Sequence, residues 1–115
     1  MNRTLLKSKI HRATVTDANL NYTGSISLGP ELLEAADLLE FEQVDIYNCN
    51  NGERFHTYTI LGQPGEVCLN GAAARKVQPG DIVIIASYAS YSREEAAGHK
   101  PRLIYVDAEN VVIKE

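Results

Sequence analysis

Residues 43–61 read Gln43-Val44-Asp45-Ile46-Tyr47-Asn48-Cys49, then Asn50-Asn51-Gly52, then Glu53, then Arg54-Phe55-His56-Thr57-Tyr58-Thr59-Ile60-Leu61. Two runs carrying β-branched and aromatic residues flank an Asn-Asn-Gly segment. Asn and Gly tolerate the positive φ that tight turns need, so the stretch predicts a β-hairpin. Working outward, further strands are predicted over residues 24–28, 67–69, 81–88, 102–106 and 111–114. Residues 3–15 mix β-branched and apolar positions without a helical period. Helices are few. Pro30 stands where a first helical residue belongs, and Leu32, Leu33, Ala36 and Leu39 follow as a helical stripe. Ser92-Arg93-Glu94-Glu95 matches a capping box, with Gly98 as the stop. Residues 71–76 suit a single turn. Many short strands with two or three small helices predict a mainly β fold, a small closed barrel.

At 115 residues the chain is long enough for one domain and one core. Its 44% hydrophobic and 23% charged content is that of an ordinary globular protein. A net charge of −4 argues against a nucleic-acid partner, because neutralising phosphates takes clustered Lys and Arg. The longest apolar run, Ile82-Val83-Ile84-Ile85-Ala86, has strand length and is far short of the ~20 residues of a membrane span. Arg3, Lys7 and Lys9 interrupt any signal-peptide h-region, so a cytoplasmic location is expected. Cys49 and Cys68 lack metal-ligand or redox spacing and read as reduced, small, semi-apolar residues.

Several short motifs occur in a fixed order. They are Lys-x-His-Arg at 9–12, Tyr-x-Gly-Ser at 22–25, Asp-Ile-Tyr-Asn at 45–48, Asn-Gly-x-Arg at 51–54 and Thr-Tyr at 57–58. Asn70-Gly71-Ala72-Ala73-Ala74 and Asp81-Ile82-Val83-Ile84-Ile85-Ala86-Ser87 follow. Each is weak alone. In combination they resemble the pyruvoyl-dependent aspartate 1-decarboxylases over nearly the whole chain. Tyr47 stands where that family often has Trp, and the segment before Asn70 is compact.

The resemblance implies a six-stranded double-psi β-barrel that assembles as a homotetramer, with active sites between adjacent subunits. It implies a proenzyme that cuts itself between Gly24 and Ser25 into residues 1–24 and 25–115. Ser25 becomes the pyruvoyl cofactor, and neither metal nor pyridoxal phosphate is required. L-Aspartate is the implied substrate, and β-alanine for pantothenate and coenzyme A synthesis the implied product. A maturation factor is a further partner that the resemblance admits.

That chemistry asks for these residue types. Loss of carbon dioxide leaves an electron pair on the α-carbon, which no ordinary side chain accepts. The chain has no glycine-rich phosphate loop for pyridoxal phosphate. A pyruvoyl group supplies the electron sink from the chain's own atoms. Its formation starts with Ser25 attacking the Gly24 carbonyl. A glycine there leaves room for the serine oxygen and for strained dihedrals. By family resemblance, Thr57 donates to the cleavage oxyanion. Arg54, a planar fork, and Lys9, a compact charge, bind substrate carboxylates. Tyr58, protonated at neutral pH with an ordinary pKa near ~10, reprotonates the α-carbon. Asn70, Gly71, Ala72 and Ala73 form a small-residue loop against substrate. Tyr22 helps fix the processing loop. His11 either orients substrate or is structural. On a strand Arg54, His56 and Tyr58 share one face and Thr57 takes the other.

Read without the resemblance, Gly24-Ser25 is a plain turn into a strand, Lys9 and Arg54 are solvated charges and Tyr58 is a core tyrosine. A non-enzymatic barrel that binds a partner would not need Lys9, Ser25, Arg54 and Tyr58 together. A serine hydrolase lacks its Gly-x-Ser-x-Gly elbow here.

Overall fold

The hairpin forms as its sequence predicts, in a computed structural model that describes residues 1–114. In chain order the strands are β1 (Arg3–Thr14), β2 (Asp17–Asn19), β3 (Ser25–Leu28), β4 (Gln43–Asn48), β5 (Arg54–Leu61), β6 (Val67–Asn70), β7 (Ile82–Tyr91), β8 (Arg102–Val106) and β9 (Val112–Lys114). The helices are α1 (Pro30–Ala35) and α2 (Arg93–Ala97), and Gly71–Lys76 is a 3₁₀ turn. β4 and β5 pair antiparallel, with Tyr47 opposite Arg54, Asp45 opposite His56 and Gln43 opposite Tyr58. Gly52 takes the left-handed conformation at φ 76°. Its N–H donates to the Asn48 carbonyl at 2.9 Å, which closes the turn.

All nine strands form one hydrogen-bonded succession, β2-β6-β3-β5-β4-β7-β1-β8-β9. β1/β8, β2/β6 and β3/β5 are parallel and the other pairs antiparallel. Among the described residues the edge strands β2 and β9 are three residues each and do not pair with one another. A single buried cluster nevertheless draws Ile10 from β1, Ile26 and Leu28 from β3, Ile46 from β4, Leu69 from β6, Ile85 from β7 and Ile104 from β8. Strands so far apart in one succession share a core only if the sheet curls around it. The fold is therefore mainly β and consistent with the small barrel expected from the sequence.

Local irregularities are where sequence reasoning was incomplete. β1 carries register shifts between Leu6 and Ser8 and between Ile10 and Ala13. Arg12 sits at φ 61° in the second, so Ile10 and Ala13 both reach the core despite their odd spacing. The helical stripe after Pro30 breaks early. Leu32, Leu33 and Ala36 are buried, but Asp37 at φ 55° turns the chain. Leu38 then enters the core, and Leu39 is left 75% exposed. The capping box is real: Ser92 Oγ accepts the Glu95 N–H at 3.1 Å, and Glu95 Oε1 accepts the Ser92 N–H at 2.7 Å. Gly98 is the C-cap. Among the described residues no helix is long and apolar enough to cross a membrane.

Candidate active site

Ser25 opens β3 opposite Asn70 of the antiparallel β6 and is wholly buried. Its hydroxyl donates to the Thr23 carbonyl at 3.0 Å and accepts from Asn70 Nδ2 at 3.0 Å. The second Asn70 amide hydrogen goes to Ser27 Oγ, also at 3.0 Å. Asn70 Oδ1 accepts the Cys68 thiol at 3.3 Å. Burial pushes the Cys68 thiol above its ordinary pKa, and the Asp17 and Glu66 charges add to this, so it stays protonated and able to donate. The Ser25 proton is thereby aimed at Thr23, and one oxygen lone pair remains unshared.

The glycine that the geometry demands here is Gly71 rather than Gly24. Gly71 sits at φ 65°, and a β-carbon on it would lie 2.6 Å from Gly24 Cα and 2.8 Å from Gly24 N. A β-carbon on Gly24 itself would meet nothing within 4 Å, and Gly24 lies outside the left-handed region. The room and strain expected at Gly24 are thus properties of the neighbour that packs against it.

Beside this pair lies an open cleft of about 390 Å³, lined by Gly24, Phe55, His56, Thr57, Tyr58, Ala72, Ala73 and Lys76. It brings together Gly24, Thr57, Tyr58, Ala72 and Ala73 from the sequence candidates. Asn70 and Gly71 are buried behind them, and Tyr22 is 53% exposed. The hairpin and the 3₁₀ turn are held side by side by two side chains of the hairpin end. Asn48 Nδ2 and Asn51 Nδ2 donate to the Lys76 carbonyl at 3.1 and 3.0 Å.

Lys9, His11 and Arg54 are not brought into that cleft. Strand pairing sets Lys9 opposite Ala86, Ala86 opposite Asp45, and Asp45 opposite His56. Lys9 is thus three strand spacings of ~4.8 Å from β5 along the sheet, on a strand with no residue in the cleft lining. Arg54 instead lays its guanidinium 4.0 Å over the Tyr47 ring and lines a smaller hollow with Asp45, Tyr47, Phe55 and His56. The Tyr47 hydroxyl is 2.8 Å from that of Tyr88 and donates to Asp45 at 3.3 Å. Burial and these neighbours push its pKa up. His11 packs edge-on against Tyr105 at 5.6 Å, and its buried Nδ1 has no hydrogen-bond partner among the described residues. Burial, then the Lys9 and Arg12 charges, lower its pKa, so the ring is neutral at neutral pH.

Sequence reasoning missed Phe55, His56 and Lys76 as cleft residues and Cys68 as a partner of Asn70. Strand alternation did not sort these residues, because the cleft takes Phe55, His56, Thr57 and Tyr58 together and leaves Arg54 in the neighbouring hollow. Lys76 had no signal, because only the bonds from Asn48 and Asn51 bring it to the hairpin.

A sequence model of the family described as aspartate decarboxylase matches residues 1–113. The aspartate 1-decarboxylase of Bdellovibrio bacteriovorus is 59% identical over 115 residues, covering 100% of this chain and 93% of the relative. That of Campylobacter concisus is 59% identical with 100% of both chains covered. That of Syntrophus aciditrophicus is 62% identical over 114 residues, with 97% and 98% covered.

Proposed function

The chain belongs to the aspartate decarboxylase family, and from that membership we infer that it is a self-processing enzyme releasing carbon dioxide from L-aspartate to give β-alanine. β-Alanine serves pantothenate and coenzyme A synthesis, a cytoplasmic role. The observation that carries the self-processing is the wholly buried Ser25, its hydroxyl oriented by Thr23 and Asn70 beside the cleft of Thr57 and Tyr58.

Processing begins when Ser25 Oγ adds to the Gly24 carbonyl carbon. The Gly24–Ser25 amide breaks, its nitrogen becomes the free amine of Ser25, and an ester replaces it. Asn70 holds the serine oxygen in place, and the Thr57 hydroxyl donates to the oxyanion while it exists. Loss of the Ser25 α-proton then breaks the Cβ–O bond and releases residues 1–24 as a carboxylate. The dehydroalanine left at position 25 takes up water and loses ammonia to become the pyruvoyl group. The residues present fit that group: a buried serine at the start of a strand becomes a chain end that opens on the cleft.

Once formed, the group supplies a keto carbonyl for the substrate amine and an amide that accepts electrons as carbon dioxide leaves. The chain's own side chains do the rest. Arg54 and Lys9 hold the two carboxylates. Ala72 and Ala73 keep the cleft wall low, and Gly71 packs behind it. Tyr58 delivers the proton to the α-carbon. Tyr22 steadies the processing loop, and His11, packed on Tyr105, is structural. Because Lys9 and Arg54 stand outside the cleft of their own chain, the complete site is shared between adjacent subunits of a homotetramer. A maturation factor remains compatible with this scheme, since it would act on the same bond.

Intact mass of the purified protein tests the reading. Residues 1–24 and a pyruvoyl-started fragment of 91 residues (115 minus 24) are expected. Ser25→Ala remains one chain and inactive. Wild-type protein that is uncleaved yet fully active would overturn the mechanism.

A further inference from the structure

The wall of the cleft includes a lysine that the aspartate chemistry above does not use. Lys76 lines it together with Gly24, Thr57 and Tyr58. Arg54 lines the adjoining hollow and Lys9 lies on β1, so among the described residues Lys76 is the lysine or arginine of this cleft wall. Its backbone is fixed, since the Lys76 carbonyl accepts from both Asn48 and Asn51. Its side chain is not confined in that way. The ammonium meets Glu53 Oε1 at 2.7 Å, and the two side chains are 48% and 45% exposed. An ion pair this open is held weakly, because solvent screens it and both long side chains lose rotamer freedom.

We propose that Lys76 is a substrate-recruiting residue of this cleft, the site where an incoming dicarboxylate amino acid first places a carboxylate, and that Glu53 is its built-in competitor. Glu53 is itself a carboxylate on this ammonium. A substrate carboxylate arriving at the cleft exchanges with it and gains a charge-assisted hydrogen bond of the same type. The exchange costs little because the pair is half in water. Glu53 swings out to solvent, and the substrate carboxylate then passes from Lys76 to the Arg54 and Lys9 that hold it during turnover. Chemistry itself is untouched, since Lys76 neither carries the proton nor holds the serine. The role therefore shows in KM and leaves kcat alone.

The proposal rests on the assignment of this cleft as the active site. Its distinguishing consequence is that the two partners of one ion pair act with opposite sign. In processed enzyme at low ionic strength, Lys76→Gln raises KM for L-aspartate about 3- to 10-fold with kcat within about twofold, and the effect fades as salt is added. Glu53→Gln frees the ammonium and lowers KM about two- to threefold. A merely structural pair predicts the same direction for both variants, because each breaks the same bond. A destabilised Glu53→Gln protein would not bind aspartate better, so misfolding cannot imitate the result. Equal KM changes of the same sign, or no KM change in either variant, would overturn the role of Lys76. Tyr58→Phe run alongside separates this from failure of the cleft. If Tyr58→Phe loses turnover while Lys76→Gln and Glu53→Gln behave alike, only Lys76 is withdrawn. If Tyr58→Phe turns over normally, the cleft assignment falls with it.

Discussion

The surroundings of Ser25 and the outer face of β1 and β5 both carry candidate residues, but they treat their polar groups in opposite ways. Around Ser25, the serine, Ser27, Asn70 and Cys68 are all buried and bonded to one another. On the outer face Arg54 is exposed and rests on an aromatic ring. A little further along, His11 has a buried nitrogen without a partner among the described residues. The difference follows from what each group must do. A backbone bond that is cut by its own neighbour needs only one chain, and its geometry is best fixed by burial. A charge that holds a diffusible carboxylate must stay reachable, so its remaining partners come from elsewhere. In the proposed scheme one half of the chemistry is complete in a single chain, and the other half waits for a second surface.

The largest test breaks that comparison directly. Ser25→Ala abolishes activity, and Arg54→Ala lowers kcat/KM by about 10²–10³, the 3–4 kcal/mol typical when one member of a desolvated ion pair is removed. If the halves come from different subunits, co-expressing the two inactive variants rebuilds complete sites at some interfaces. Activity then rises roughly tenfold or more above either variant alone. Assay of the co-purified mixture checks this. No recovery in mixed oligomers would place Arg54 and Ser25 in one chain's site and dissolve the contrast.

Within the cleft, Thr57 and Tyr58 are adjacent on β5, and the proposed scheme gives each of them one of the two halves. Tyr58→Phe is expected to process normally and to form β-alanine about 10²–10⁴-fold more slowly, the usual loss with a general acid. Thr57→Val is expected to slow the cut itself about 10²–10³-fold, the loss of one oxyanion donor. Fragment appearance by mass and β-alanine by amino-acid analysis separate the two. Slow cleavage in Tyr58→Phe would mean that one group serves both steps.

Much of this was legible in the sequence, for reasons that vary by element. The hairpin was, because Asn50-Asn51-Gly52 is local turn chemistry and Gly52 alone supplies the positive φ. The capping box was, because it closes within four residues. The end of α1 was not. Its stripe continued to Leu39, and the turn depends on Asp37 adopting a left-handed conformation that no spacing announces. The site was legible as a set of motifs but not as an arrangement. Gly24 drew the steric argument because it precedes the serine, while the contact that excludes a side chain belongs to Gly71, 47 positions later, brought in by β3–β6 pairing. Cys68 carried no spacing signal because its partner is an amide, not a metal or a second thiol. Lys76 reaches the cleft through tertiary hydrogen bonds alone.

The smallest expected effect sharpens the comparison from the side of stability. Glu42 stands just before β4 and ties β1, β7 and the segment after α1 together. Its Oε2 accepts from Lys7 Nζ of β1 at 2.7 Å and from Ser87 Oγ of β7 at 2.9 Å. Its Oε1 accepts the Leu39 N–H at 3.0 Å, and Lys7 also donates to the Asp37 carbonyl at 2.6 Å. Burial pushes the Glu42 carboxyl up, but the Lys7, Leu39 and Ser87 hydrogen bonds and the Lys7 charge together outweigh it, so its pKa lies below the ordinary 4.5. A carboxyl whose folded pKa is depressed binds protons more readily when unfolded. Its contribution is therefore full above the unfolded value and is lost as pH falls below about 4.5 toward the folded one. Glu42→Gln keeps the shape and removes the charge. It is expected to cost about 1–3 kcal/mol at pH 7 and to flatten the acid limb of stability. Urea unfolding at pH 7 and at pH ~3.5, with protomer concentration held fixed, measures both. Gly24–Ser25 cleavage should proceed at the wild-type rate, because no bond of this network reaches Ser25, Asn70 or Thr57. A variant that loses stability and also stalls the cut would show that the closed half leans on the open one. A variant whose acid limb matches wild type would remove Glu42 from the titration.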